Sequence, residues 1–399
     1  MLNNTLKKIL SRNSSIFNLD WCHNQPIIKS FLSGQKVLII GGSGSIGGAF
    51  TRLIANYGLK KLHLIDLSEN NLAELVRDLR SSPVNIPEDF KTFAISFDGP
   101  EFEAYLKYES SFDLILNFCA LKHVRSERDP FSLLRLLRVN VIANSKMLEL
   151  LSQKSTERVF AVSSDKAIAP ASLMGASKSF MERVFLMRGD AFHFNSARFA
   201  NVAFSDGSLL CGFNHRLSKR QPLSAPSDVR RFFISHEEAA QLCLLALVLG
   251  NSNEIFYPKL DPTEDLKSFA DIAQIFLQEN GFKPIQCESE ADAREWFTRN
   301  PKIMDQWPCF FSGSNTSGEK MYEEFVGAGE ETDERRFANV GVVSRPASAD
   351  PETVQVALER LTAISRKPIW EKAELVDIVK LVVPELAHVE TYQNLDQKM

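Results

Sequence analysis

The chain has 399 residues, 44% hydrophobic and 24% charged, enough for a sizeable packed core and too apolar for a disordered polymer. A formal net charge of −4 argues against a general nucleic-acid or membrane-surface binder. Six scattered cysteines, with no CxxC pair and no Cys/His cluster at zinc spacing, argue against a metal site or disulfide framework and fit free thiols in a reducing compartment.

Residues 1–33 read as a helical arm. They carry Ile16, Phe17, Leu19, Trp21, Ile27, Ile28, Phe31 and Leu32 among polar residues. So much apolar surface is not expected to stay in water, so the arm should pack on the rest of the chain or on another subunit of a homo-oligomer. The N-terminus is basic but lacks an apolar stretch of signal-peptide length. The longest apolar run, AAQLCLLALVLG, has 12 residues, against about 20 for a membrane span. The expectation is a cytoplasmic chain with no membrane span.

From residue 36 short β-rich runs alternate with helical patterns. The strands read KVLIIG (36–41), KLHLID (61–66), TFAISFD (92–98), DLILNF (113–118), RVFAVSS (158–164) and FHFNSARF (192–199). Between them lie periodic stretches such as NNLAELVRDLR and FSLLRLLRVNVIANSKMLELL. This alternation predicts an α/β fold, a doubly wound parallel sheet of Rossmann type. The early strands are nearly continuous apolar runs, as strands covered on both faces require. After residue 203 the alternation weakens, and turn residues with mixed charge predict a smaller, mixed C-terminal substrate lobe. The division is an arm (1–33), a dinucleotide-binding domain (34–202, completed by about 233–258), an interleaved lobe (203–345) and a helical extension (346–399).

The first strand runs into VLIIGGSGSIGGAF. Gly41, Gly44 and Gly47 form G-x-x-G-x-x-G, with Ser43, Ser45 and Ile46 between them. Such a turn lets a pyrophosphate approach the backbone, and the helix it opens offers free N–H groups and a positive dipole end. A glycine triplet alone is a weak signal and also fits a packing turn. Here it follows a strand and opens a βαβ unit, the context the motif requires. Asp66 ends the second strand, 19 residues after Gly47. A carboxylate there binds an adenosine ribose 2′-OH and repels a 2′-phosphate, which favours NAD. Ser68 nearby softens that preference and leaves NADP possible. Asp98, ending the third strand, is placed either for the adenine edge or as a solvated loop acid.

The fifth strand ends in SSDKAIAPASLMGASKSF (163–180). Ser163, Ser164, Asp165 and Lys166 thus lie at a carboxyl end, where such sheets bind ligands. Met174 and Lys178 are four apart and share one helix face. A lysine there can hydrogen-bond a nicotinamide ribose.

Five stretches, GGSGSIG (41–47), ALKHV (120–124), SSDKAIAPASLMGASK (163–178), RFANV (198–202) with RRFFIS (230–235), and SGEKMYEE (317–324), occur in this order. Together they resemble the extended short-chain dehydrogenase/reductase superfamily. The nearer resemblance is to polysaccharide-biosynthesis proteins acting as UDP-N-acetylglucosamine 4,6-dehydratases. Relatives carry tyrosine or methionine four residues before the lysine, and the methionine type looks like the branch that retains the C5 configuration. The resemblance implies transient oxidation of the sugar at C4 by bound NAD⁺, loss of the C5 proton and C6 hydroxyl, and reduction at C6.

It also implies roles. Asp165 is the acid at C6, Lys166 the base at C5, and Ser164 the hydrogen-bond partner of the C4 oxygen, with Met174 and Lys178 completing the catalytic set. The glycine turn, Asp66, Ser68, Asp98, Ala120 and Lys178 would contact the cofactor. Lys122, Asn201, Arg231 (or its neighbour Arg230) and Glu319 would hold the UDP-sugar. The chain departs from the usual pattern at Ala200, where glycine is common, and before SGEK, where arginine-proline often stands. Two other readings remain: a nucleotide-sugar epimerase on the same fold, and a non-catalytic NAD-binding or nucleotide-sugar-binding protein. Adjacent Asp165 and Lys166 argue against the epimerase, because inversion at C4 needs no elimination pair.

Overall fold

The computed structural model describes residues 4–109, 111–189, 191–313 and 322–388. The glycine-rich stretch grows out of β1 (Lys36–Ile40). Parallel strands β2 (Lys61–Asp66) and β3 (Asp89–Ala94) lie on one side of it. On the other side follow β4 (Leu114–Asn117), β5 (Arg158–Val162) and β6 (His193–Ala197), also parallel. The chain then forms β7 (Asn201–Val202), β8 (Leu223–Pro226), β9 (Arg230–Ile234), β10 (Glu254–Pro258), β11 (Leu266–Ser268), β12 (Lys283–Gln286), β13 (Gln306–Ser312), β14 (Glu331–Asp333) and β15 (Val340–Arg345).

The main sheet has nine strands in the order β14-β15-β10-β6-β5-β4-β1-β2-β3. From β10 to β3 all pairs are parallel; β15 and β14 add on antiparallel. The reversal of winding falls between β1 and β4, where doubly wound sheets open a ligand crevice. Alternation within the strands builds two cores. Leu38 and Ile40 face one, with Ile115, Val159 and Ala161; Val37 and Ile39 face the other, with Leu114, Leu116 and Phe160. Val37, Leu38, Ile39 and Ile40 are all fully buried, hence the continuous apolar run.

The third strand starts and ends earlier than the sequence pattern predicts. It pairs with β2 from Lys61↔Asp89 to Asp66↔Ala94 and stops where β2 stops. As the edge strand it has no other neighbour to extend it. Phe97, read as strand, instead packs its ring edge-on against Phe102. The stretch 331–345, read with the smaller lobe, runs along the main sheet, and Val340, Val342 and Val343 are fully buried there.

The smaller lobe holds two three-stranded sheets, β11-β9-β7 and β12-β13-β8, around Phe213, Phe276, Trp307 and Leu277. The arm forms helices Asn4–Leu10 and Asn18–Leu32. Ile9 and Leu10 enter the small-lobe core; Phe17, Ile28 and Leu32 enter the main core. Arg12 clamps Glu238 with two hydrogen bonds of 2.9 and 2.8 Å, and Asp20 accepts from the backbone N–H groups of Ala338 and Asn339. The arm is therefore docked on its own chain. Helices Pro351–Ile364 and Lys372–Val382 share a core with the helix Leu173–Leu186. Among the described residues no helix is long and apolar enough to cross a membrane.

Candidate active site

The glycine turn joins β1 to the helix Ser45–Ile54. Gly41 has φ +73°, and a Cβ there would meet Cys119 N at 2.8 Å. A Cβ on Gly47 would lie 2.0 Å from Gly41 O, so only glycine lets the helix pack on the turn. At Gly44 a Cβ would meet nothing nearer than 3.5 Å, which leaves the helix N-terminus open to a ligand. Ser43 Oγ is buried yet finds no hydrogen-bond partner among the described residues. Asp66 fixes the turn from the tip of β2: one carboxylate oxygen accepts from Ser43 N and the other from Ser68 N, both at 3.0 Å. Open helix terminus, orphaned hydroxyl and carboxylate together fit the pyrophosphate and ribose of a dinucleotide. Ser45 Oγ accepts from Asp206 N at 2.8 Å, tying the loop after β7 to the turn.

Asp98 is not a solvated acid. Its side chain is 4% exposed, accepts from Ser96 at 2.5 Å and pairs with Arg135 and Arg138. Burial pushes its pKa up, but Ser96 and the two arginines outweigh this and hold it below the usual range. Ala120 and Lys122 lie on the loop after β4. Lys122 Nζ is 3.5 Å from Ser205 Oγ.

At the end of β5 the chain tightens into a 3-10 turn, Asp165–Ala167. Asp165 is 2% exposed. Its Oδ1 accepts from Ser164 Oγ (2.7 Å), Lys166 N (2.9 Å) and Lys166 Nζ (3.0 Å). Lys166 Nζ also donates to Asn201 Oδ1 at 3.2 Å. The structure thus brings Ser164, Asp165, Lys166 and Asn201 into one hydrogen-bonded group.

The helix Leu173–Leu186 is N-capped by Ser172, whose hydroxyl accepts from Gly175 N. Met174 is buried on its first turn. One turn on, Lys178 is 4% exposed and donates to Val162 O at 2.9 Å. Burial lowers its pKa to about 8, with Cys119 and Glu182 pulling the other way. Arg231 is buried on β9, 4.0 Å from Glu323, whereas Arg230 is exposed. Glu319 lies outside the described residues.

Three features escaped sequence reading. A π-helical turn, Arg138–Ile142, turns Asn140 onto the loop after β4. Asn140 donates to Leu121 O and to Ser177 Oγ and accepts from Leu121 N, each at 2.9 Å. Two fully buried asparagines, Asn140 and Asn144, inside an apolar helix were the available signal. Glu127, at the end of a 3-10 turn, accepts from Met174 N at 2.8 Å. Below β5, Arg198 is 1% exposed and bridges Glu182 and Glu330 with four hydrogen bonds; Ser163 donates to Glu182.

Residues 37–345 match the family of polysaccharide biosynthesis proteins. The chain belongs to this family. It lies within the extended short-chain dehydrogenase/reductase superfamily. An uncharacterized membrane protein of Methanocaldococcus jannaschii is 28% identical over 75% of this chain and 82% of its own length. The probable polysaccharide biosynthesis protein EpsC of Bacillus subtilis is 27% identical over 79% of this chain, which spans only about half of that relative (49%). A UDP-N-acetylglucosamine 4,6-dehydratase (inverting) of Campylobacter jejuni is 25% identical, covering 57% of this chain and 68% of its own. In fold the family member resembles Pen from Bacillus thuringiensis, with TM-score 0.64 at 19% identity, covering 83% of this chain and 99% of Pen. It also resembles DesIV, a dTDP-glucose 4,6-dehydratase from Streptomyces venezuelae solved with NAD, with TM-score 0.56 at 17% identity, covering 83% and 98%. Among the described residues no group of His, Cys, Asp and Glu is placed to hold a metal ion.

Proposed function

We propose that the protein is a nucleotide-sugar-modifying enzyme, and specifically an NAD-dependent UDP-N-acetylglucosamine 4,6-dehydratase that retains the C5 configuration. The observation that carries this reading is the group Ser164–Asp165–Lys166–Asn201. Elimination of water across C5 and C6 needs a base and an acid at neighbouring carbons, and this group offers an amine and a carboxyl 3.0 Å apart, which act as base and acid when their shared proton sits on the carboxyl.

The glycine turn, Ser43 and Asp66 would hold NAD. When bound, the cofactor supplies reversible oxidation at C4. Lys166, fixed between Asp165 and Asn201, takes the C5 proton. Asp165 gives a proton to the departing C6 hydroxyl; its Oδ2 is outside the three hydrogen bonds that occupy Oδ1. Ser164 orients the C4 oxygen. Met174 handles no proton, so the C4 hydroxyl proton goes to Lys178 through a bridging water. Burial, by easing Lys178 toward its neutral form, supports that relay. Arg231 binds the diphosphate, for which a guanidinium offers paired donors. Retention at C5 rests on resemblance to the methionine-bearing branch.

The test is incubation of the protein with UDP-N-acetylglucosamine and NAD, followed by NMR of the sugar. A 4-keto-6-deoxy product with unchanged C5 supports the reading. UDP-glucose 4-epimerases of Rickettsia bellii are also similar to this chain, at 26% identity over 62% of it. A C4 epimer would therefore support an epimerase, and unchanged substrate with bound NAD a non-catalytic binding protein.

A further inference from the structure

Gly175 shows how the active-site helix meets the proposed base. A Cβ there would lie 2.2 Å from Lys166 O, so the first turn of helix Leu173–Leu186 rests directly on the Lys166 backbone. Any shift of that turn moves Lys166. In the connection 168–172, Ala169 sits at φ +37°, a conformation that surrounding contacts must maintain.

Those contacts come from two remote segments. Glu127 is 4% exposed, and its Oε1 accepts from Met174 N at 2.8 Å, anchoring the first turn of the helix. His388 Nδ1 lies 3.8 Å from Glu127 Oε2. Its neighbour Ala387 donates from its backbone N–H to Pro170 O at 2.9 Å, next to the strained Ala169. Further along the helix, Arg183 is held by Val382 O and Glu385. Between the two helices of the extension, Trp370 Nε1 donates to Pro130 O at 3.0 Å, just beyond the Glu127 turn.

We propose that Glu127 is a positioning residue for the active site. Its carboxylate fixes the first turn of the active-site helix, and the segment 382–388 braces both Glu127 and the loop that carries Lys166. The residue need touch neither substrate nor cofactor; it acts through Met174 N and Gly175 on Lys166. The inference rests on the dehydratase reading for its kinetic consequence, but not for its structural one.

The experiment compares Glu127→Ala, Glu127→Gln and Glu127→Asp in the full chain. Glutamine keeps an acceptor at the same reach; aspartate keeps the charge but withdraws it by one methylene. Amide hydrogen exchange of peptides spanning 172–178 is read without substrate, and kcat and KM with it. Glu127→Ala and Glu127→Asp should exchange faster in 172–178 and lose about 10- to 100-fold in kcat, with KM within about threefold, as small misplacements of reacting groups do. Glu127→Gln should stay near wild type in both. Wild-type exchange in the alanine and aspartate variants, or a glutamine variant as impaired as aspartate, would overturn the proposal. If alanine fails to fold, the glutamine–aspartate contrast decides. A wild type with no dehydratase activity removes the proposed function and leaves the exchange result to judge Glu127 alone.

Discussion

Lys178 Nζ donates to the carbonyl oxygen of Val162 from a side chain only 4% exposed. A carbonyl supplies a dipole where an ammonium prefers an anion, and Glu182, one turn further, is committed to Arg198 and Ser163. Burial therefore lowers the lysine from its ordinary 10.5 to about 8. Between those two values the folded chain binds fewer protons at this site than the unfolded chain. The group's contribution to stability must then rise with pH across that window and stay flat below it. Lys178→Met should raise stability at pH 7 and reduce the rise above pH 8, read by chemical denaturation at a series of pH values.

Arg12 ties the arm to the first turn of helix His236–Leu249 through a carboxylate that is fully buried. Glu238 also accepts from Ile16 N and Ser235 N, so it keeps some partners if the guanidinium goes. Arg12→Ala should cost about 3 kcal/mol, the low end for breaking a buried pair. Deleting residues 1–30 should cost more, since Phe17 and Ile28 leave the main core with it. Thermal melts of both variants check this, and an unchanged melting temperature on deletion would contradict a docked arm.

Asp66 occupies both of its oxygens with Ser43 N and Ser68 N. In the proposed NAD site its charge would face the ribose 2′-substituent. Wild type should bind NAD more tightly than NADP, and Asp66→Ala should narrow the gap while loosening the glycine turn. Calorimetry with both nucleotides reads this directly; equal wild-type affinities would remove the charge argument.

Much of this was legible in the sequence because periodicity reports burial. Residues 37–40 are apolar throughout, and each is buried in one of the two cores. The glycine turn was legible because no other residue fits Gly41 or Gly47. The end of β3 was not, since an edge strand stops where its one partner stops, and Phe93, Ile95 and Phe97 look alike in sequence whether paired or packed. The attachment of 331–345 to the main sheet was hidden because strand partners far apart in sequence leave no periodic trace. Glu127 and Asn140 were missed for a related reason: each acts on backbone groups of a segment distant in sequence, and nothing in their own neighbourhoods marks the partner.

Asp165 and Lys166 are joined by two hydrogen bonds yet are proposed for opposite proton transfers. Replacing either should leave substrate and NAD binding close to wild type. Asp165→Asn and Lys166→Ala should each lower formation of the 4-keto-6-deoxy sugar by about 10²–10⁴-fold, the usual contribution of a general acid or base. Single-turnover assays with NMR detection are the check. Near-normal turnover in both would place the acid and base elsewhere.

Met174 is buried, and its thioether has no proton to exchange at any pH. The structure gives its backbone a task, as donor to Glu127, which any residue except proline can perform. Its side chain packs among Leu173, Ala176 and the neighbouring core. Met174→Ala should therefore keep turnover within about tenfold, because packing is lost but no proton transfer is. Lys178→Ala should lose far more, since it removes both the proposed cofactor contact and the titratable amine proposed to take the C4 proton. Met174→Tyr separates two versions of the relay. If water between Lys178 and the sugar is required, the phenol displaces it, and activity then depends on the phenol's own acidity and moves to higher pH. If the space is idle, the pH profile stays as in wild type. Abolished turnover in Met174→Ala, with fold and NAD binding intact, would give the thioether an active-site role that packing does not explain.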